Sequence, residues 1–260
     1  MRARGRIIGA LALSAFVVLW HVASTTGLFG RFPPAYAQLL LPSPGAVGRA
    51  ALDSAASGEL WSQVSVSLLR VTAGFGIAVA LGLPLGLLSA VSPAANAAIE
   101  PFVRLFSPIP GVAWVPLAIL WFGLGNSAAI FIIAVGSVFP VLLGTAQGVR
   151  SVDLRLVEAG RVLGARPLQL LQRVLLPSLV PYLVTGFRLG LGFAWRVVIA
   201  AEMVGVPRGI GYMLNAGRAT GRTEVTLLTM VVLGALMVAA EELLFSPLDR
   251  HTQSWRGAAA

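Results

Sequence analysis

The sequence predicts an all-α membrane protein with about six transmembrane helices. Of its 260 residues, 57% are hydrophobic and only 11% are charged, and the mean hydropathy is +0.86. A soluble domain carries about a quarter charged residues, and no polar stretch here is long enough to form a second, soluble domain. We therefore expect one transmembrane domain over residues 1–260.

Six apolar stretches approach the ~20 residues that a bilayer-spanning helix needs. The first follows the basic residues 1–6 and is also compatible with a signal peptide cleaved after Ser24, but its length favours an uncleaved span. In the second, Gly82 and Gly86 have the spacing that lets helices approach closely. Two prolines at 108 and 110 predict a kinked or partly unwound third span. The predicted spans are residues 7–28, 62–91, 102–122, 127–147, 179–206 and 225–245.

The connections between the spans are predicted to be short. Residues 41–44 stop a helix, and residues 45–57 then predict a short surface helix. Residues 92–100 are expected to form a loop, and residues 123–126 a tight turn because they contain two glycines.

The arginines predict the orientation of the chain. All nineteen basic residues are arginine, and positive charge is enriched in cytoplasmic loops. With six spans and both termini in the cytoplasm, eleven arginines lie inside and five outside, with three in or near spans. The inner set is Arg2, Arg4, Arg6, Arg104, Arg150, Arg155, Arg161, Arg166, Arg173, Arg250 and Arg256, and the outer set is Arg31, Arg49, Arg208, Arg218 and Arg222.

Several kinds of chemistry lack their residues in this chain. It contains no cysteine and no lysine, and its two histidines, His21 and His251, lie at opposite ends. Thiolate metal sites, a lysine-containing phosphate loop and a histidine metal cluster are therefore not expected. We predict no catalytic residue, no metal site and no cofactor bound by this chain.

A charged segment at residues 150–177 interrupts the apolar sequence. Ser151 and Asp153 predict a helix start, and Gly164 is placed to end that helix in a left-handed conformation. Pro167 can open a second short helix, which Leu176-Pro177 is expected to end. The product would be two short amphipathic helices hinged at Gly164, with apolar faces formed by Leu156, Ala159 and Leu163 and by Leu168, Leu171 and Leu175.

This segment resembles the EAA motif of ABC importer permeases. Glu158-Ala159-Gly160 is followed by three residues and Gly164, and nine further residues lead to residues 174–177, which read Val-Leu-Leu-Pro. Gly160 replaces the motif's third alanine, and Val174 replaces isoleucine. The resemblance implies the permease fold of type I ABC importers, with a cytoplasmic coupling segment that docks on an ATPase through Glu158, Ala159, Gly160, Gly164, Leu176 and Pro177.

Further stretches between residues 40 and 250 are similar to the nitrate, sulfonate and taurine subgroup of these permeases. The resemblance implies a homodimeric pore in the bacterial inner membrane, two ATPase subunits that bind ATP and Mg²⁺, an extracytoplasmic binding protein, and no nucleic acid. It leaves the solute open, although a small anion is expected. The stretches are residues 67–70, 74–75, 84–86, 120–123, 151–153, 185–188, 201–203 and 209–212.

The charged residues Arg70, Arg188, Arg196 and Glu202 lie in or near apolar segments. A charge at the centre of a spanning helix costs ~3 kcal/mol on insertion scales, so each is a candidate for the solute pathway. The structural alternative is that Arg70 and Arg188 extend to the interface from span ends, and that Arg196 or Glu202 pairs with another helix or a second copy.

Two other functions compete with the importer permease. A stand-alone secondary transporter or channel would use Arg196 and Glu202, and an intramembrane enzyme would need a nucleophile that no motif marks. The charged loop favours the importer, because a self-sufficient channel needs no docking segment for an ATPase.

Overall fold

The computed structural model describes residues 2–26, 39–152, 154–170, 172–173 and 176–248, which are almost entirely helical. Among them, five helices are long and apolar enough to cross a membrane, and a bent helix pair raises the number to six. The predicted all-α membrane fold is therefore confirmed. The helices are α1 (Arg2–Thr25), α2 (Pro44–Ala56), α3 (Glu59–Val91), α4 (Pro93–Phe106), α5 (Val115–Phe122), α6 (Asn126–Arg150), α7 (Leu154–Val162), α8 (Pro167–Leu170), α9 (Leu176–Gly205), α10 (Ile210–Ala219) and α11 (Thr223–Ala240).

The chain divides into two compact units. The first comprises Met1–Val66 and Arg208–Gly234, and the second comprises Ser67–Pro207 and Ala235–Ala260. In the first unit, the Ser43 hydroxyl accepts the Ala46 N–H and caps α2. The short helix predicted at 45–57 is confirmed.

Helix α10 in the first unit was predicted as part of a connection. Its buried residues include Ile210, Met213, Leu214 and Gly217, a spacing that gives one apolar face of a helix. The helix is short and is flanked by Gly209 and Gly221, both with positive φ. Because glycines are frequent in loops, the sequence of this segment does not clearly indicate a helix. The Gly209 N–H donates to Gln63 Oε1 at 2.6 Å, which fixes the start of the helix.

Three long helices, α3, α6 and α9, form the centre of the second unit and approach one another at glycines. A Cβ added at Gly82 would lie 2.9 Å from the Val138 oxygen, and one at Gly86 would lie 2.6 Å from the Leu142 oxygen. The close approach predicted for this glycine pair is confirmed. A Cβ at Gly144 would likewise lie 2.7 Å from the Gly186 Cα, so α6 and α9 pack with their backbones nearly in contact.

The loop predicted at 92–100 is wrong, because α4 begins at Pro93. Ser92 caps this helix by accepting the Ala95 N–H at 3.2 Å, and proline is well tolerated in a first helical turn. The predicted third span is indeed kinked: α4 and the helical stretch Gly111–Phe122 meet at 89° across residues 107–110. The tight turn before α6 is also confirmed, with φ of +72° at Gly123 and +155° at Gly125.

Candidate functional sites

The charged segment folds as the predicted pair of short helices, α7 and α8. Gly164 has φ of +78°, its N–H donates to the Arg161 oxygen at 2.9 Å, and the Ala165 N–H donates to the Gly160 oxygen at 3.0 Å. These two bonds form a Schellman motif, which requires a left-handed residue at the position of Gly164. The predicted hinge at Gly164 is confirmed.

Gly160 lies where the two short helices touch. A Cβ at this position would be 2.5 Å from Leu170 Cδ2, and Leu170 is buried. The glycine that departs from the EAA pattern therefore matches the close packing of α8 on α7. Because the contacted atom ends a flexible side chain, an alanine at this position requires only a small shift of Leu170.

One side of α7 is open in this chain. Glu158, Ala159 and Arg161 are exposed, and the exposed fractions of Val162 and Leu163 reach 87% and 86%. Exposed apolar side chains next to charges are typical of a surface that binds another protein. Ala159 and Leu163, which were predicted to belong to the apolar face of this helix, are therefore exposed. Val162 is a further exposed apolar residue that was not part of the prediction.

Leu176 and Pro177 were predicted to end the second short helix. This prediction is wrong, because they are the first two residues of the long helix α9. Proline in the first turn lacks only an N–H that would have no helical partner, so it begins a helix as readily as it stops one. The predicted apolar face of α8 involves Leu168, Leu171 and Leu175, whose side chains lie outside the described residues, as does that of Leu156.

A cluster of polar side chains joins α3, α6 and α9; its members Ser67, Arg70 and Glu202 are buried, whereas Asn126 is exposed. The Arg70 Nη1 donates to Glu202 Oε1 at 2.8 Å, and Arg70 Nε donates to Asn126 Oδ1 at 2.9 Å. The Ser67 hydroxyl lies 2.8 Å from both Glu202 oxygens. Only 4% of the Arg70 side chain and 1% of the Glu202 side chain are exposed.

Arg70 and Glu202 are accommodated within the spans because they pair with each other. Arg70 does not extend to an interface, as the structural alternative supposed; it pairs with Glu202 from another helix. Buried charges are tolerated when they are paired and their remaining hydrogen-bonding positions are filled. Ser67 and Asn126 were not singled out from the sequence as site residues, although Ser67 lies one helical turn from Arg70.

Arg188 and Arg196 occupy different environments. Arg188 pairs with Glu241 through Nε and Oε1 at 3.0 Å, and both side chains are partly exposed. Its guanidinium also lies 5.3 Å from the centroid of the Phe245 ring. Arg196 is exposed, and its guanidinium lies 5.5 Å from the centroid of the Phe193 ring. No hydrogen bond joins Arg196 to the described part of the chain.

Other polar groups line a cleft between α6 and α9. Gln147, Tyr182 and Thr185 open into this cleft, beside Leu143 and Leu189. Among the described residues, no group of three histidine, aspartate or glutamate side chains is arranged to hold a metal ion.

Apolar spans interrupted by an exposed, charged helix pair define the class of multi-pass membrane proteins. Residues 82–249 match the family of binding-protein-dependent transport system inner membrane components. The chain belongs to this family and is a permease component of an ABC transporter.

Two curated relatives and one solved structure agree with this assignment. The taurine transport system permease of Escherichia coli is 31% identical over 96% of this chain and 89% of its own. The bicarbonate transport system permease of Synechococcus elongatus is 31% identical over 89% of this chain and 84% of its own. An inward-facing structure of the MetNI methionine ABC transporter covers 75% of this chain and 95% of its own, with a TM-score of 0.61 and 24% identity, and supports the fold.

Proposed function

We propose that this permease imports a small anion, of the sulfonate, taurine, nitrate or bicarbonate kind, that an extracytoplasmic binding protein delivers. The observation that carries the proposal is the exposed guanidinium of Arg196 within the apolar helix α9. An arginine is stable inside a membrane where it faces water, a protein or an anion, and not lipid chains. The names of the taurine and bicarbonate relatives point to anionic solutes as well.

We further propose that a second copy of this chain covers the cleft side of α6 and α9. Gln147, Thr185 and Arg196 are exposed on these two spans, and side chains of this kind avoid direct contact with lipid. A homodimer would bring two such surfaces together around one aqueous pathway, in which Arg196 and, with less exposure, Arg188 would meet the solute. Arg70 and Glu202 would support the pathway from within the helix bundle.

The energy for transport would come from two copies of a separate ATPase. The chain has no lysine, so it cannot form a Walker A phosphate loop, and we assign ATP and Mg²⁺ to the partner. We propose that the ATPase binds the open side of α7, with Glu158 in polar contact and Ala159 allowing close approach. Gly160 would support this surface by letting α8 pack on α7, and Gly164 would set the angle to α8. Leu176 and Pro177 would transmit movement directly, because they begin α9 itself.

The proposed solute class is tested by uptake into proteoliposomes that contain the permease, its ATPase and its binding protein. We expect ATP-dependent uptake of one small solute with an anionic group, from a panel of ethanesulfonate, nitrate, bicarbonate and the zwitterionic sulfonate taurine. Arg196→Gln should raise the KM for that anion about tenfold, corresponding to the loss of one charge-assisted hydrogen bond, while Arg188→Gln should have a smaller effect.

Two results would contradict this proposal. Uptake of a cationic or neutral solute that is indifferent to Arg196→Gln would refute the anion assignment. Ion-gradient-driven uptake by the chain alone, without ATPase, would favour the secondary transporter.

A further inference from the structure

The break between α4 and the helical stretch Gly111–Phe122 leaves four residues without helical structure. Ser107, Pro108, Ile109 and Pro110 are all exposed in this chain, and the helical axes on either side differ by 89°. The two prolines have no N–H to donate, which disfavours a continuous helix across these residues.

The depth of this break follows from its contacts. A Cβ added at Gly111, directly after the break, would lie 2.5 Å from Val197 Cγ2, and one added at Gly136 would lie 3.1 Å from the same atom. At 1.5 Å per residue, Gly136 lies about 15 Å from the first residue of α6, and Val197 lies about 12 Å from the last residue of α9. The break is therefore well inside both span candidates, not at their ends.

Exposed, non-helical backbone at this depth cannot face lipid chains. Each peptide group without a hydrogen bond costs several kcal/mol in hydrocarbon, so irregular backbone within a membrane is found where protein covers it or where it lines water. In transport proteins, interrupted helices of this kind are typical of solute-binding regions.

We propose that residues 107–110 line the water-filled solute pathway beside Arg196. This inference rests on the proposed anion import and adds a second element to it. Arg196 directly precedes Val197, the residue that contacts Gly111, so the backbone of Arg196 lies at about the same depth as the break. The arginine supplies positive charge and the Ser107 hydroxyl supplies a neutral donor, whereas the N–H groups of Ser107 and Ile109 already donate to the Val103 and Phe106 oxygens. A small oxyanion, whose oxygens accept several hydrogen bonds, fits this combination.

The chain contains no cysteine, so single cysteines report directly on water at this position. Ser107→Cys and Ile109→Cys would be assembled with the ATPase and treated with two water-soluble methanethiosulfonates, one carrying a sulfonate and one a trimethylammonium group. The control is Leu81→Cys, because Leu81 is also 52% exposed and its neighbour Gly82 contacts Val138, two residues from Gly136.

We expect both break positions to react at least about tenfold faster than Leu81→Cys, since only a hydrated thiol forms the reactive thiolate. The anionic reagent should be preferred over the cationic one, and Arg196→Gln should lower that preference roughly fivefold, as expected for one charge acting through water on both reagents.

The inference is overturned if residues 107 and 109 are as unreactive as residue 81, because lipid or the second copy would then cover the break. The same result in complexes that take up an anion normally would leave the proposed function standing. Fast reaction at both positions in a complex that transports no anion would support the water-lined break and contradict the proposed solute class.

Discussion

At the scale of single residues, the Arg70–Glu202 pair has the clearest energetic role. Each charge alone would be expensive to bury, and their attraction compensates only because Ser67 and Asn126 occupy the remaining hydrogen-bonding positions. The pair joins two residues that lie 132 positions apart in the chain. A change to one partner should therefore act mainly through the charge that it leaves unpaired.

We predict that Glu202→Gln destabilises the folded protein by about 3–5 kcal/mol, because Arg70 then remains charged and buried without a counterion. The double change Arg70→Met/Glu202→Leu should recover most of this loss, since it removes both charges and keeps side-chain volume. The measurement is the temperature at which the detergent-solubilised protein loses its monodisperse elution. Arg188→Met serves as a control, because it breaks a partly exposed pair worth about 1 kcal/mol or less. Equal losses for Glu202→Gln and the double change would show that packing, not charge, dominates at this site.

At the scale of elements, the α7–α8 segment combines a rigid corner with an open surface. The Schellman motif at Gly164 determines where α7 ends, and the contact of Gly160 with Leu170 holds α8 against it. Because α9 begins only a few residues later, a displacement of this segment would be passed into a spanning helix. This arrangement explains physically why a docking segment would be short, glycine-containing and charged.

We predict that Gly164→Val leaves the permease inserted but abolishes ATPase co-purification and ATP-driven uptake. Valine at a positive φ costs ~1–2 kcal/mol, which would shift the corner between the two helices. Gly58→Val is the matched control: Gly58 also has φ of +78°, and a Cβ at either glycine meets nothing within 4 Å. Glu158→Lys should weaken ATPase binding in the same way by reversing a charge on the exposed side of α7. Normal uptake by Gly164→Val would refute the coupling role of the segment.

At the scale of the whole molecule, the arginine distribution bears on orientation. Eleven arginines on one predicted side against five on the other follow the positive-inside rule, so we expect the α7–α8 segment in the cytoplasm, with both termini on the same side. This orientation is required if a cytoplasmic ATPase is to reach Glu158.

We predict that a cysteine at Ala165 reacts in intact cells only with a membrane-permeant thiol reagent, whereas a cysteine at Leu124 reacts with an impermeant one. Leu124 is 71% exposed in the turn before α6, so its access does not depend on opening a packed contact. Labelling of both positions after permeabilisation is the control for reactivity. Impermeant labelling of residue 165 in intact cells would reverse the topology and exclude docking of a cytoplasmic ATPase at this segment.

The sequence by itself determined the membrane class, the approximate spans and the corner at Gly164. These features depend on local properties: the length of apolar stretches, the spacing of glycines, and the conformations that glycine and proline allow. The EAA-like spacing is local as well, and the resemblance that it carries led to the prediction, still to be tested, that Glu158, Gly160 and Gly164 belong to a docking segment. Local reasoning failed at prolines, because proline can both begin and end a helix. Pro93 begins a helix where a loop was predicted, and Pro177 lies in the first turn of a helix where a helix end was predicted.

Only the tertiary structure decided which charges meet. Arg70 pairs with Glu202 and Arg188 with Glu241, while Arg196 remains exposed, and these outcomes depend on which faces of distant helices are packed together. The depth of the break at residues 107–110 was also beyond the sequence, because it follows from the contact of Gly111 with Val197 across 86 residues. Hydropathy and residue spacing predict whether a segment is apolar enough to span a membrane and where its helices end. Contacts between residues far apart in the chain depend instead on how the helices pack against one another.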